Sequence, residues 1–239
     1  MSDGSPGAGA DASDASDAPA APGSSAVAPA SRTRLLVATR SRHKLGELRD
    51  LLHVRHAELV SLDELGIPDE VEETGRTFEA NAALKARFYA RLSGLPTLAD
   101  DSGLEVDALD GGPGIRTRRY AGADATDEEN NVKLLAALAG LPPERRGGRY
   151  RCVLALALPG YAGPRGGLRL LFARGSFGGR IATGPRGSSG FGYDPIFEPA
   201  TSAPGGPTVG EWTPELKAAV SHRARAARRM APLLARLGF

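Results

Sequence analysis

Strand-like and helix-like apolar patterns alternate along this chain, and that alternation restricts the folds open to it. Residues 35–38 form a short apolar run typical of a buried strand, and Ser41 then stands as a helix N-cap before leucines at helical spacing. A second helix is predicted at residues 77–92, and it leads into a strand at 97–99. Because helices and strands are mixed, the sequence predicts an α/β fold.

The second half of the chain continues the alternation. Two strand candidates, residues 150–158 and 168–177, are separated by a Gly/Pro-rich turn and are expected to pair antiparallel. The glycine-rich residues 178–192 predict a loop. The residues that predict further helix starts are Thr126 with Glu129, Thr213 with Pro214, and Ser221.

The first 31 residues differ in composition from the rest of the chain. They are almost entirely Ala, Ser, Gly, Pro and Asp, which cannot bury enough apolar surface to offset the entropy lost on ordering. We therefore predict a disordered tail at 1–31 and one globular domain at 32–239.

Charge and cysteine content exclude several classes of protein. The formal net charge is +2, and without the four Asp of the tail the remainder has 30 basic against 24 acidic residues. These charges are interspersed, so no nucleic-acid partner is predicted. The single Cys152 offers neither a disulfide nor a cysteine-ligated metal, which favours a reducing, cytoplasmic location. No run approaches the roughly 18 apolar residues that a membrane span needs, so no membrane partner is predicted.

Lysine is scarce in this chain, so the positions that keep it are informative. Of the 30 Lys and Arg residues, only Lys44, Lys85, Lys133 and Lys217 are lysine. A lysine ammonium is compact and rotatable, whereas an arginine guanidinium is a planar fork, and the two differ where a phosphate oxygen lies in a tight space. The alternative is that these four lysines have no shared role.

Residues 39–44 join the first strand to the first helix. Backbone N–H groups, hydroxyls and an ammonium at a helix N-terminus can surround a phosphate. Basic residues in a first helical turn oppose the helix dipole, which favours an anion site here. An ordinary capped helix with a solvated basic turn is the alternative.

Acidic residues gather at two places that suit a cation. Glu70, Glu72 and Glu73 precede a Thr-Gly pair, and Asp100 and Asp101 follow the predicted strand at 97–99. Mg²⁺ takes one or two carboxylates together with water and phosphate oxygens. Solvated loop acids are the alternative, and the pair at the strand end is the more specific signal because a strand holds a carboxylate rigidly.

Two further clusters lie in the second half of the chain. In residues 188–194, aromatic side chains flanked by glycines can offer a flat face to a nucleobase; a tight turn with buried rings is the alternative. Lys217 and the run Ser221-His222-Arg223 lie at a predicted helix junction, which alone would indicate an ordinary surface junction.

Together and in this order, these clusters resemble the inosine triphosphate pyrophosphatase family, also called XTP/dITP diphosphatases. The resemblance covers about residues 34–237. It is carried by residues 38–44, 72–75, 78–82 with Lys85, 99–104, 113–115, 119–122, 190–195 and 221–223.

The resemblance implies a two-lobed mixed-sheet α/β fold with a central nucleotide-binding cleft, usually in a homodimer. It also implies Mg²⁺-dependent hydrolysis of ITP, dITP and XTP to the monophosphate and pyrophosphate. Physically, magnesium and lysines would neutralise the triphosphate while a carboxylate directs water at the α-phosphorus.

The resemblance also implies a role for each matching residue. Asp101 would be the general base, Glu72 and Asp101 would bind the metal, and Asp100 would support them. The substrate-binding positions would be Thr39, Arg40, Ser41, Arg42, His43 and Lys44 with Lys85 at the phosphates, Ser102, Phe191 stacking on the base beside Gly192, and Tyr193, Asp194, Lys217, His222 and Arg223 around the base. Arg223 in particular is expected to donate to the purine 6-oxo group.

Some features depart from the family pattern or leave alternatives open. Arg40-Ser41 stands where the family more often has Gly-Asn, which makes the contact at position 41 the least certain of the phosphate contacts. A Maf-type pyrophosphatase acting on other nucleotides is one alternative function. A non-catalytic nucleotide- or RNA-binding protein is the other.

Overall fold

One mixed sheet of six strands organises the chain. The computed structural model describes residues 1, 33–160 and 168–239, so the predicted tail beyond Met1 and most of the turn predicted before residue 168 lie outside the described residues. The strands are β1 (Thr33–Ala38), β2 (Ala57–Ser61), β3 (Thr97–Val106), β4 (Gly147–Leu158), β5 (Arg169–Ile181) and β6 (Phe197–Pro199). The main helices are α1 (Arg42–Leu51), α2 (Phe78–Ser93), α3 (Asp127–Ala137), α4 (Pro214–Val220) and α5 (His222–Arg236).

The strand order is β2-β1-β3-β4-β5-β6. β1 is parallel to both β2 and β3, and α1 and α2 supply the crossovers that parallel strands require. The pairs β3–β4, β4–β5 and β5–β6 are antiparallel. The predicted α/β class and the predicted antiparallel pair in the second half of the chain are both confirmed.

The two faces of the sheet bury alternate residues of each strand, as the pleat requires. Leu35 and Val37 of β1 belong to a core that includes α1 and α5, whereas Leu36 and Ala38 belong to a core that includes α2. A third core lies further along β3, β4 and β5, around Leu104 and residues of α3. The long strands therefore extend through two lobes.

The helix starts predicted from capping residues are confirmed. Each capping side chain accepts a hydrogen bond from the backbone N–H three residues later, which satisfies a donor that the helix leaves unpaired. The predicted capping residues that do so are Ser41, Thr126, Thr213 and Ser221, and Thr77 caps α2 in the same way. Within residues 33–160 and 168–239, no helix is both long and apolar enough to cross a membrane.

Two predicted boundaries in the sheet are wrong. β3 does not end at residue 99 but continues to Val106, because β4 pairs with it along its whole length. β5 likewise continues to Ile181, four residues into the predicted glycine-rich loop, since Gly178 and Gly179 pair with β4. In both cases a long-range strand partner overrides the local pattern.

Candidate active site

A cavity of about 810 Å³ opens where β1 ends beside β3. β1 pairs with β3 only as far as Ala38 and Ala99, so Asp100 and the residues after it lie beyond the end of β1. The volume is in the range of small-molecule sites. All the site residues predicted from the sequence line this cavity except Glu72.

Asp100 is buried at the centre of a hydrogen-bonded cluster and accepts on both carboxylate oxygens. Its Oδ1 lies 2.7 Å from Lys44 Nζ and 2.8 Å from Ser102 Oγ. Its Oδ2 lies 3.0 Å from Arg223 Nε and 3.1 Å from Cys152 Sγ. Burial alone would raise the pKa of Asp100, but Arg223 and Lys44 hold it well below its usual range. Asp100 is therefore a fixed anion that positions its neighbours.

Asp101 faces the opposite side of β3, because successive strand residues alternate. Its Oδ1 accepts from Lys85 Nζ at 2.9 Å, and the same ammonium lies 2.7 Å from Glu73 Oε1. Its Oδ2 is buried and has no hydrogen-bond donor among the described residues. Burial raises the pKa of Asp101 even though the nearby lysines lower it. Asp101 thus keeps one oxygen available for a proton or a ligand.

The start of α5 lies against the sheet because β5 has a glycine beneath it. A Cβ at Gly175 would collide with the backbone of His222 and Ala226, so only glycine permits this approach. His222 is buried and stacks on Tyr150, with ring centroids 4.8 Å apart and planes 10° apart. Burial, together with the charge of Arg223, holds the pKa of His222 well below its usual range, so its imidazole is neutral.

Arg223 is 1% exposed, and its guanidinium joins three elements. Besides Asp100, it donates to Ser102 Oγ at 2.9 Å and pairs with Glu47 of α1. Burial would lower the pKa of Arg223, but the two carboxylates raise it. Every guanidinium nitrogen is therefore already bonded to the protein, which favours a positioning role over the predicted contact with a purine. That predicted contact stays a prediction.

Residues 39–44 form the wall of the cavity at the start of α1. Thr39 Oγ1 accepts from Ser41 N at 3.2 Å, and Ser41 Oγ accepts from Lys44 N at 3.4 Å. Arg40 is directed elsewhere, since its guanidinium lies 2.9 Å from Asp63 Oδ1 and also donates to two backbone carbonyls. The hydroxyls and Lys44 are thus placed for an anion, and Arg40 is the least available residue of the loop.

The loop that carries Phe191 lies on the other lobe and is anchored by its own backbone. Phe191 N donates to Asp194 Oδ2 at 3.0 Å, and Gly192 N donates to a first-turn carboxylate of α3 at 2.6 Å. Lys217 Nζ lies 2.8 Å from the same oxygen of Asp194 and 4.3 Å from the centre of the Phe191 ring. Tyr193 is buried, and its hydroxyl donates to a backbone carbonyl at 2.8 Å. The predicted base-binding residues therefore come together in one place.

Comparison with known proteins decides the family. The sequence profile of the Ham1 family matches residues 35–233, which is most of the chain. This chain belongs to the Ham1 family. The resemblance inferred from the sequence is confirmed, and the family match favours it over the Maf-type alternative.

Relatives in the Ham1 family match along nearly their whole length. A dITP/XTP pyrophosphatase of Geobacter sulfurreducens is 48% identical over 194 residues, covering 81% of this chain and 92% of that protein. A dITP/XTP pyrophosphatase of Nocardia farcinica is 46% identical over 207 residues, covering 85% and 96%. The structure of a HAM1 protein from Coxiella burnetii superposes with a TM-score of 0.75 at 39% identity, covering 85% of this chain and 99% of that chain.

The Ham1 site of this chain has a donor set that suits a divalent cation. The partnerless Oδ2 of Asp101 is an oxygen acceptor of the kind that hard cations bind. Glu73 is close to Asp101, because the ammonium of Lys85 pairs with both carboxylates. In the described parts of the chain, no group of three or more His, Cys, Asp or Glu side chains is arranged around a metal position. A cation here would therefore depend on Glu73, Asp101 and oxygens of the substrate.

The role of Glu72 as a metal ligand stays a prediction, and the structure brings its neighbour Glu73 nearer to the site. Glu72 is exposed and does not line the cavity, whereas its neighbour Glu73 is half-buried and does. Burial alternates along this segment, with Val71 and Glu73 half-buried and Glu72 and Thr74 exposed, as in an extended chain whose side chains alternate in direction. The geometry favours Glu73 in the place predicted for Glu72.

Sequence reasoning missed Glu47. It lies three positions after Lys44 on the same face of α1, and that spacing is the signal that would have indicated it. Its carboxylate pairs with Arg223 and lies 2.9 Å from Lys217 Nζ. Burial would raise the pKa of Glu47, but these two cations lower it. Glu47 thus supports the site through Arg223 and Lys217, while the missed residues that line the cavity itself include Thr117, Arg118, Arg119, Asp127 and Tyr150.

Proposed function

We propose that this chain hydrolyses the non-standard purine nucleotides ITP, dITP and XTP to the monophosphate and pyrophosphate, and so clears them from the nucleotide pool. Its relatives in the Ham1 family carry the name dITP/XTP pyrophosphatase. The observation that carries the proposal within the site is Asp101, a buried carboxylate with one unpaired oxygen in a cavity that also holds Lys44 and Lys85.

The chemistry requires a base that takes a proton from the attacking water. In the proposed reaction, the water oxygen bonds to the α-phosphorus as its proton passes to the carboxylate of Asp101. The bond from the α-phosphorus to the bridging oxygen breaks, and pyrophosphate leaves with that electron pair. Asp101 suits this role because one of its carboxylate oxygens has no donor among the described residues and can accept the proton.

Positive charge and hydrogen-bond donors surround the proposed phosphate position. Lys44 and Lys85 are each paired with a protein carboxylate, and each would also contact the triphosphate when it binds. Thr39 and Ser41 would donate hydrogen bonds from their hydroxyls. Mg²⁺, held by Glu73 and Asp101, would supply Lewis-acid stabilisation of the phosphate charge.

Selection of the base follows from hydrogen-bond donors near Phe191. With the base stacked on that ring, Lys217 is the nearest cation, 4.3 Å from the ring centre. A donor that satisfies the 6-oxo group of hypoxanthine or xanthine meets a second donor in the 6-amino group of adenine. A mismatch of this kind leaves polar groups unpaired and disfavours ATP.

The proposal predicts a ranked substrate panel. With ITP, dITP, XTP, GTP, ATP and dUTP at equal concentration, we expect pyrophosphate to be released fastest from ITP, dITP and XTP. Chromatography of the products should show monophosphate and no diphosphate, because attack is at the α-phosphorus. Equal rates on ATP, preference for dUTP, or a diphosphate product would contradict the proposal.

Removal of divalent cations is predicted to abolish this activity. The two carboxylates proposed to hold the cation, Glu73 and Asp101, are both paired with Lys85, so the polyanionic substrate needs further neutralisation. Turnover of ITP is expected to vanish in EDTA and to return when Mg²⁺ is added in excess. Unchanged turnover after exhaustive chelation would exclude a metal-assisted reaction.

The assembly and location of the protein stay predictions. A homodimer is implied by the family resemblance, and sedimentation of the full chain would measure it. The cytoplasmic location and the absence of nucleic-acid and membrane partners rest on charge pattern, cysteine content and apolar run length.

A further inference from the structure

We propose that His43 covers the base-stacking face of Phe191 in the substrate-free protein and has to leave it before a purine binds. This inference rests on the proposed function, in which Phe191 stacks on the base. In this proposal His43 affects how tightly the base binds, whereas Asp101 acts in the hydrolysis itself.

The geometry of the two rings leaves no space for a base between them. Their centroids are 5.1 Å apart and their planes differ by 20°, which is a stacked arrangement. A base inserted between two rings needs about 3.5 Å on each side, roughly 7 Å in all. A purine stacked on this face of Phe191 would therefore occupy the position of the imidazole, which joins the start of α1 to the loop that carries Phe191.

His43 is the group on the Phe191 ring that can move at low cost. Its side chain is exposed, and it makes no hydrogen bond or ion pair within the described residues. Lys217, the other near neighbour of the ring, is held by Asp194 at 2.8 Å and by Glu47 at 2.9 Å. A purine that approaches Phe191 would thus displace His43 and leave Lys217 in place.

The expected size of the effect follows from the strength of an exposed aromatic pair. Removing such a competitor should tighten binding of the base by about 2- to 10-fold. His43→Ala is therefore expected to lower KM for ITP by that factor. His43→Phe, which adds apolar area to the stack, is expected to raise KM.

The experiment compares wild type, both variants and a matched control. His53→Ala removes another exposed histidine, located beyond the end of α1 and outside the cavity, and should leave KM unchanged. Steady-state rates on ITP give KM, and calorimetry with IMP measures base binding where no hydrolysis occurs. Melting temperatures check that all four proteins are folded.

The outcomes separate this inference from the proposed function. No turnover of ITP by the wild type would refute the proposed function, whereas the IMP titrations would still test His43. A higher KM and weaker IMP binding in His43→Ala would show that the imidazole is a second wall over the base, and would overturn the inference. Unchanged KM and IMP affinity in both His43 variants would also overturn it.

Discussion

Replacing Asp101 by Asn is expected to lower kcat for ITP by about 10²- to 10⁴-fold, the usual loss when a general base is removed. Asn has nearly the same shape but cannot accept the proton that the attacking water releases. Nucleotide binding should persist, because Lys44 and the base-stacking loop are unchanged. Steady-state kinetics would measure kcat, and calorimetry with IMP would measure binding.

A surface carboxylate just beyond the end of β3 provides the control. Asp107 is exposed and outside the cavity, so Asp107→Asn should retain wild-type turnover. The melting temperature of Asp101→Asn is also needed, because the substitution removes an ion pair with Lys85. Near-normal kcat in a folded Asp101→Asn protein would disprove the assignment of the base.

Arg223→Ala is expected to destabilise the protein by about 3–5 kcal/mol, because it leaves Asp100 buried with one of its two cations removed. Activity on ITP and on ATP should fall by a similar factor, since Ser102 loses a hydrogen-bond donor and Asp100, which also holds Lys44, loses its second cation. Urea unfolding would measure the free energy of unfolding, and kcat/KM on both nucleotides would measure the selectivity.

The loss of stability in Arg223→Ala should depend on pH. The pKa of Asp100 in the folded wild type is below the unfolded value of 3.8, so its ion pairs stabilise the fold above that pH. That stabilisation is lost as the pH falls through the folded pKa, because a protonated Asp100 no longer needs a cation. The difference in the free energy of unfolding between the wild type and Arg223→Ala should therefore become smaller as the pH falls.

Arg228→Ala is the matched control for Arg223→Ala. Arg228 lies on the exposed side of α5 and, among the described residues, donates only to a backbone carbonyl, so Arg228→Ala should change stability little. A variant at 223 that keeps its melting temperature and loses activity on ITP alone would place the guanidinium at the purine. That result would restore the contact predicted from the sequence.

Local signals account for what sequence reasoning predicted correctly. Each helix start depends on a side chain that bonds a backbone N–H three residues away, so Ser41, Thr126 and Ser221 are readable without the fold. Apolar spacing within one element likewise identifies which face is buried. The full extent of β3 was not readable, because β4, which pairs with residues 100–106, lies far away in the sequence.

Residue types and their order determined the α/β class, the helix starts and many of the residues that meet in the cavity. Tertiary structure alone decided which partners each of those residues bonds, and therefore which role each one has. Asp100 and Asp101 are adjacent and chemically identical, yet the pleat sends one toward Arg223, 123 positions away, and the other toward Lys85 on α2. The same alternation moves Glu73 inward in place of Glu72. A charge acquires its role from partners that only the folded chain brings within bonding distance, because ion pairing and desolvation act over a few ångströms of space.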